Sequence, residues 1–212
     1  MKPCLSVGLL LLAATFHLRA ENLTETCAAC HGDQGQGNAA LGAPRLAGQQ
    51  ADYLLRQLQA FKAGQRGYDP QDSQGAQMRA VATGLVETDL EPLARHYAQQ
   101  PAPVSSATPG AGSAQGEALY QGSCAACHGP QAQGFAHLKT PSLRILDARY
   151  IERQLTHYTR GLRGGEAHAD ELGIWMRGIA LQIRSAEDRR AIVDYLAGLS
   201  TPATPAAQQV GH

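Results

Sequence analysis

Cys27-Ala28-Ala29-Cys30-His31 is repeated letter for letter as Cys124-Ala125-Ala126-Cys127-His128, and this pair of pentapeptides decides how the rest of the chain is read. Cys-x-x-Cys-His is the spacing of c-type haem attachment. The two thiols add across the vinyl groups of the macrocycle, and the His that follows is placed to give an imidazole nitrogen to the iron. One turn of helix brings the three side chains to the same edge of the haem. Two other readings compete. A zinc knuckle would need both Cys pairs to form one site and would leave His31 and His128 unexplained. A redox dithiol needs no His in that place. Two haem c groups, attached through Cys27, Cys30, Cys124 and Cys127 and ligated by His31 and His128, account for every residue of both motifs.

Working outward, a shift of 97 residues carries the first motif onto the second and also maps Pro44 to Pro141, Leu46 to Leu143, Tyr53 to Tyr150, Gln57 to Gln154, Phe61 to Tyr158, Gly64 to Gly161 and Arg66-Gly67 to Arg163-Gly164. After one inserted residue, Met78 maps to Met176 and Tyr97 to Tyr195. So many matches in register mean a duplicated domain. The expected division is an N-terminal domain over 21–98, a linker over 99–115, a C-terminal domain over 116–200 and a disordered tail over 201–212. The linker is uncharged and rich in Pro, Ala, Ser, Gly and Thr.

Each half predicts the same order of helices, with no strand pattern to compete, so the fold class is all-α. A helix leads into the motif and a Gly-rich loop and a Pro-x-Leu turn follow. The spacing of Tyr53, Leu54, Leu58 and Phe61 predicts an amphipathic helix over about 49–63, stopped by Gly64. Its counterpart spans 147–160, with Tyr150, Ile151, Leu155 and Tyr158. A loop carrying the Met and a closing helix complete the domain. Thr88-x-x-Glu91 reads as a capping box for the first closing helix, and Ser185 as the N-cap of the second. Only Glu21 to Thr26 precedes the first Cys if a leader is removed, so the first helix is expected to be short.

Residues 1–20 read as that leader. Lys2 supplies a positive start, 5–16 form an apolar run too short to span a bilayer comfortably, and Ala20 suits a cleavage site. The alternative is an anchor formed by the same segment left uncut. Export to a bacterial periplasm is the simplest destination. Cys4 leaves with the leader, and the other four of the five cysteines all belong to the motifs, so none is left for a disulfide. The whole chain has no net charge. The stretch 21–104 carries 6 Lys+Arg against 9 Asp+Glu, and 105–212 carries 10 against 9. That mild asymmetry is a dipole, not a nucleic-acid footprint.

Beyond Met1, the only methionines are Met78 and Met176, 47 and 48 residues after His31 and His128. One per half, in register, makes them the candidate sixth ligands. His/Met ligation favours Fe(II), raises the reduction potential and closes both axial positions to peroxide or oxygen. The rivals are His96, His137, His157 and His168, none with a His counterpart in the other half; His168, eight residues before Met176, is the strongest of them. Pro44 and Pro141 follow their haem His by the same 13 positions. Each either offers the carbonyl that orients the imidazole or is an ordinary loop proline. Arg66 and Arg163 either pair with haem propionates or are solvated surface charges.

These elements together resemble the cytochrome c4 family: two class I cytochrome c domains in tandem, each with Cys-x-x-Cys-His, a Pro-x-Leu turn, a Tyr-x-x-x-Gln-Leu helix ending in Gly-x-Arg, and one Met before a final helix. The resemblance covers nearly all of 21–200. It implies a periplasmic dihaem electron carrier rather than an enzyme, with both irons His/Met ligated and the haems near the interdomain interface. It implies a cytochrome bc complex as donor and a terminal oxidase as acceptor, and any membrane association would run through such partners. Similar tandem domains serve as electron-accepting subunits of periplasmic dehydrogenases, including sulfur-compound oxidising ones. A dihaem peroxidase-like enzyme is a third reading, which two Met ligands in register oppose.

Overall fold

The computed structural model describes residues 23–102, 114–165, 168 and 170–200. The leader, most of the linker and the tail lie outside the described residues. The first half contains α1 (23–31), α2 (Ala51–Lys62), α3 (Ser73–Gly84) and α4 (Glu87–Gln99). The second contains α5 (Ala114–Ser123), α6 (Ala125–His128), a 3-10 turn at Ala136–Leu138, α7 (Ala148–Arg160), α8 (Glu171–Ala180) and α9 (Ala186–Ser200). Among the described residues there is no strand, only one bridging pair, Asn38 with Ala43, and no helix long and apolar enough to cross a membrane.

The two amphipathic helices stand where the periodicity places them. Asp147 caps α7 by accepting from the amides of Arg149 and Tyr150, and Gly161 ends it in the left-handed conformation. Ser185 accepts from the Asp188 amide at the start of α9. Two local expectations are corrected. The Met segments are helical, with Met78 inside α3 and Met176 inside α8, because Asp72 and Asp170 supply N-caps that start those helices upstream of the Met. The Thr88 capping box does not form either. Helix α4 begins at Glu87 after an uncapped Val86, and Glu91 is instead engaged by Arg95 one turn on.

α2 packs on α3 and α4, and α7 on α8 and α9, while α5 lies along α9. The second core is one cluster: Tyr120 from α5, Tyr150, Ile151 and Leu155 from α7, and Ile192, Tyr195, Leu196 and Leu199 from α9. The first half splits into two smaller clusters, around Tyr53, Leu54, Ala94 and Tyr97 and around Leu85, Leu90 and Leu93. The sequence explains the difference. Ala94 and Ala98 stand where the second half has Ile192 and Leu196, leaving a groove of about 230 Å³ between α2 and α4.

Candidate haem sites and the interface between them

The two motifs end in the same local geometry. Gly32 and Gly129, both at positive φ, close the motif helices by donating to Ala28 and Ala125, each at 2.8 Å. The loop then returns, and the Gly37 and Gly134 amides donate to the His31 and His128 carbonyls, each at 2.7 Å. The Pro-x-Leu turn is held by Leu46 and Leu143, whose amides donate to the carbonyls of Gly35 and Ala132, each at 2.8 Å. This presents the proline carbonyl to the imidazole: His31 Nδ1 lies 2.8 Å from Pro44 O, and His128 Nδ1 3.2 Å from Pro141 O.

With Nδ1 donating to a carbonyl, the lone pair sits on Nε2 and the ring orientation is fixed. Burial pushes both imidazoles below their ordinary range, against the opposing pull of the proline carbonyls. Both shifts favour the neutral ring, the form in which an imidazole binds iron. Cys27 and Cys124 are half-buried and Cys30 and Cys127 exposed, all as free thiols. Burial, with Cys127 nearby, raises the Cys124 thiol to about 11, and burial raises that of Cys27 too. Two unpaired thiols three positions apart, followed by an oriented imidazole, fit haem c. Among the described residues no three His, Cys, Asp or Glu side chains gather as a metal site, so the two Cys pairs do not converge as zinc requires.

Gly37 and Gly134 were not singled out by sequence reasoning. At φ +85° and +72°, their missing Cβ atoms would fall 3.1 and 2.6 Å from the carbonyl carbons of Pro44 and Pro141. The only hint in the sequence is that both obey the 97-residue shift.

Met78 and Met176 are half-buried on their helices, and Met176 packs against the second core. Of the rival ligands, His96 and His137 are exposed. His157 is buried against Asp72, Nδ1 to Oδ2 3.5 Å. His168 stacks on Tyr68 of the other half, with centroids 4.5 Å apart.

Arg66 and Arg163 are not surface charges; they are 8% and 7% exposed and meet between the halves. Gln57 Oε1 accepts from Arg66 Nη1 at 2.6 Å and from Arg163 Nη2 at 2.9 Å. Gln154 Oε1 accepts from Arg163 Nη1 at 2.7 Å and from Arg66 Nη2 at 3.2 Å. Each amide oxygen thus serves both guanidinium groups. Arg66 also donates to the Tyr150 hydroxyl at 2.9 Å, and the Arg163 guanidinium acts on the Tyr53 phenol. Burial would push the Tyr53 phenol up, but the cations of Arg163 and Arg66 outweigh it and hold it below its ordinary value. Two buried cations here share neutral oxygens, and Arg66 Nε is buried with no partner. Such a cluster favours nearby anions.

Other contacts tie the halves. Gln49 donates to Ser142 O at 3.0 Å and accepts from Ser142 N at 2.7 Å. Tyr68 donates to Gly161 O at 2.7 Å, and Arg153 to Gly42 O at 2.6 Å. The polar members of this interface were legible only as an unexplained register: Gln57 and Gln154 repeat on otherwise apolar helix faces.

Comparison with known proteins agrees with the duplication. The cytochrome c family model matches twice, over residues 19–96 and 113–200. The chain is 34% identical over 183 residues to cytochrome c4 of Azotobacter vinelandii, covering 82% of this chain and 84% of that one. It is 35% identical over 195 residues to the thiosulfate dehydrogenase electron acceptor of Thiomonas intermedia, covering 86% and 82%. The crystal structure of reduced cytochrome c4 from Pseudomonas stutzeri superposes with a TM-score of 0.67 at 32% identity, covering 84% of this chain and 97% of that one.

Proposed function

We propose that this chain, which belongs to the cytochrome c4 family of dihaem c-type cytochromes, carries electrons in the periplasm from a cytochrome bc complex to a terminal oxidase. Haem c, when bound, supplies a one-electron iron couple. The protein's part is to hold and tune it. Cys27, Cys30, Cys124 and Cys127 fix the macrocycles covalently. His31 and His128, oriented by the carbonyls of Pro44 and Pro141, would each give a ligand to the iron, and Met78 and Met176 would each give the second. Arg66 and Arg163 stabilise propionate charge at the interface. The leader at 1–20 directs export.

The observation that carries this reading is the duplicated geometry: the same oriented imidazole after the same Cys pair, twice. A haem held by one His and one Met would offer no open position to a substrate, so the proposed activity is transfer alone. The similarity to an electron acceptor of thiosulfate dehydrogenase favours one second reading, an electron-accepting subunit of a periplasmic dehydrogenase.

Optical and low-temperature EPR titration of the exported protein tests the ligands. Two low-spin haems per chain, each with the near-infrared thioether-to-ferric-iron band, are expected. A high-spin or bis-His centre overturns the symmetric assignment, implicates His168 and revives the peroxidase reading. Stopped-flow reduction by a bc complex, set against reduction by thiosulfate with its dehydrogenase, separates the two partner classes.

A further inference from the structure

We propose that each Met-bearing helix is held in place by the opposite half of the molecule, with Arg56 the positioning residue for Met176 and His157 that for Met78. The inference rests on reading the two methionines as sixth ligands. Asp72 caps α3, accepting from the Gly75 amide at 2.8 Å through Oδ1. Its other oxygen faces His157 Nδ1, on α7 of the second half, at 3.5 Å. Asp170 caps α8, accepting from the Gly173 amide at 2.6 Å. Both of its oxygens lie 3.0 Å from Arg56 Nη1, on α2 of the first half.

The register of cap, glycine and methionine is the same in both halves: Asp72, Gly75, Met78 and Asp170, Gly173, Met176. Each Met lies six residues beyond its cap, about 9 Å along the axis, so a pivot at the cap moves the sulfur. Within each half, the first turn is gripped by a glycine at positive φ. A Cβ on Gly67 would fall 2.2 Å from Gly75 O, and one on Gly164 2.5 Å from Gly173 O. The glycine fixes the helix to its own half, and the contact from Arg56 or His157 fixes its start to the other.

The two cap contacts are not related by the duplication. The counterpart of Arg56 is Arg153, which binds Gly42 O and lies over the Tyr150 ring. The counterpart of His157 is Ala60. Non-equivalent residues meet the same need at equivalent caps, which singles out the cap as the element that must be held.

The test reads the near-infrared thioether band of the holoprotein, with haem content and far-UV circular dichroism confirming a folded chain. Wild type should give two equivalents. In a Met78→Ala chain the remaining band comes from the second haem; Arg56→Gln should remove it, Arg56→Lys restore it and His157→Ala leave it. In a Met176→Ala chain His157→Ala should remove the band and Arg56→Gln leave it. Gln49→Ala breaks an interdomain contact without touching a cap and should leave both bands. Full bands and unchanged potentials in Arg56→Gln overturn the proposal, as does equal loss in Gln49→Ala. A wild-type protein lacking the two bands refutes the ligand assignment itself, a different failure visible before any clamp is altered.

Discussion

Replacing Gly134 by Ala probes the orientation of the second proximal His. The residue sits at φ +72°, and its added Cβ would fall 2.6 Å from Pro141 C, 2.7 Å from Pro141 O and 2.7 Å from Ser142 N. Holding an L-residue in the left-handed region costs about 1–2 kcal/mol. The three contacts are all backbone, so no flexible side chain can swing away. Either the overlap persists, at about 1–3 kcal/mol, or the Pro141 segment moves and the His128 hydrogen bond is lost, at about 0.5–1.5 kcal/mol. The expected destabilisation of the second domain is roughly 2–4 kcal/mol. A domain of this size loses about 4–8 °C per kcal/mol, so its midpoint should fall by roughly 8–32 °C. A His that donates less to Pro141 is also a weaker electron donor to iron, so the potential of that haem should rise. Differential scanning calorimetry and a spectroelectrochemical titration read both effects. A midpoint within about 2 °C of wild type and an unmoved potential would refute the account of how the imidazole is oriented.

Gln154→Leu deletes an oxygen that serves both interface arginines; it should cost about 1–3 kcal/mol and loosen the docking of the halves, read by thermal unfolding and small-angle scattering, and Gln57→Leu should match it. Asp72 is held below the ordinary carboxylate range, burial being outweighed by the His157 ring 3.5 Å away and the hydrogen bond from the Gly75 amide. A carboxylate depressed in the folded state stabilises above its unfolded value near ~4 and loses that contribution as pH falls through the lower folded value; acid titrations of wild type and Asp72→Asn should differ in that window alone, and identical acid limbs would sink the claim. Ala98→Leu, copying Leu196 into the groove of the first half, should stabilise it by about 1–2 kcal/mol; a lower midpoint would show that the groove cannot take the side chain.

Helices α2 and α7 were legible because both amphipathic stripes are strongly periodic and the second ends at a glycine. The candidate haem-attachment residues were legible because Cys-x-x-Cys-His fixes chemistry in five letters. What escaped was long-range. Thr88 and Glu91 have the spacing of a capping box, but Glu91 had a nearer cation in Arg95. The helical state of the Met segments turned on Asp72 and Asp170, whose caps face groups 85 and 114 positions away in the chain. Arg66 and Arg163 suited a haem edge or open solvent equally well in one dimension. Only the packed halves show that each lies across from the other's glutamine, and a pairing between distant residues leaves no local periodicity to read.

The shared glutamine oxygens bear on how this protein could have changed since its gene doubled. After a duplication one copy is usually at liberty to drift while the other keeps the work. Here a change at Gln57 is felt at Arg163, and a change at Gln154 at Arg66. Drift in one copy therefore exposes a defect in the other, and selection sees the two as one inherited object. The four residues of the ring should accordingly vary together or not at all among descendants, while the solvent-facing sides of α4 and α9 diverge freely.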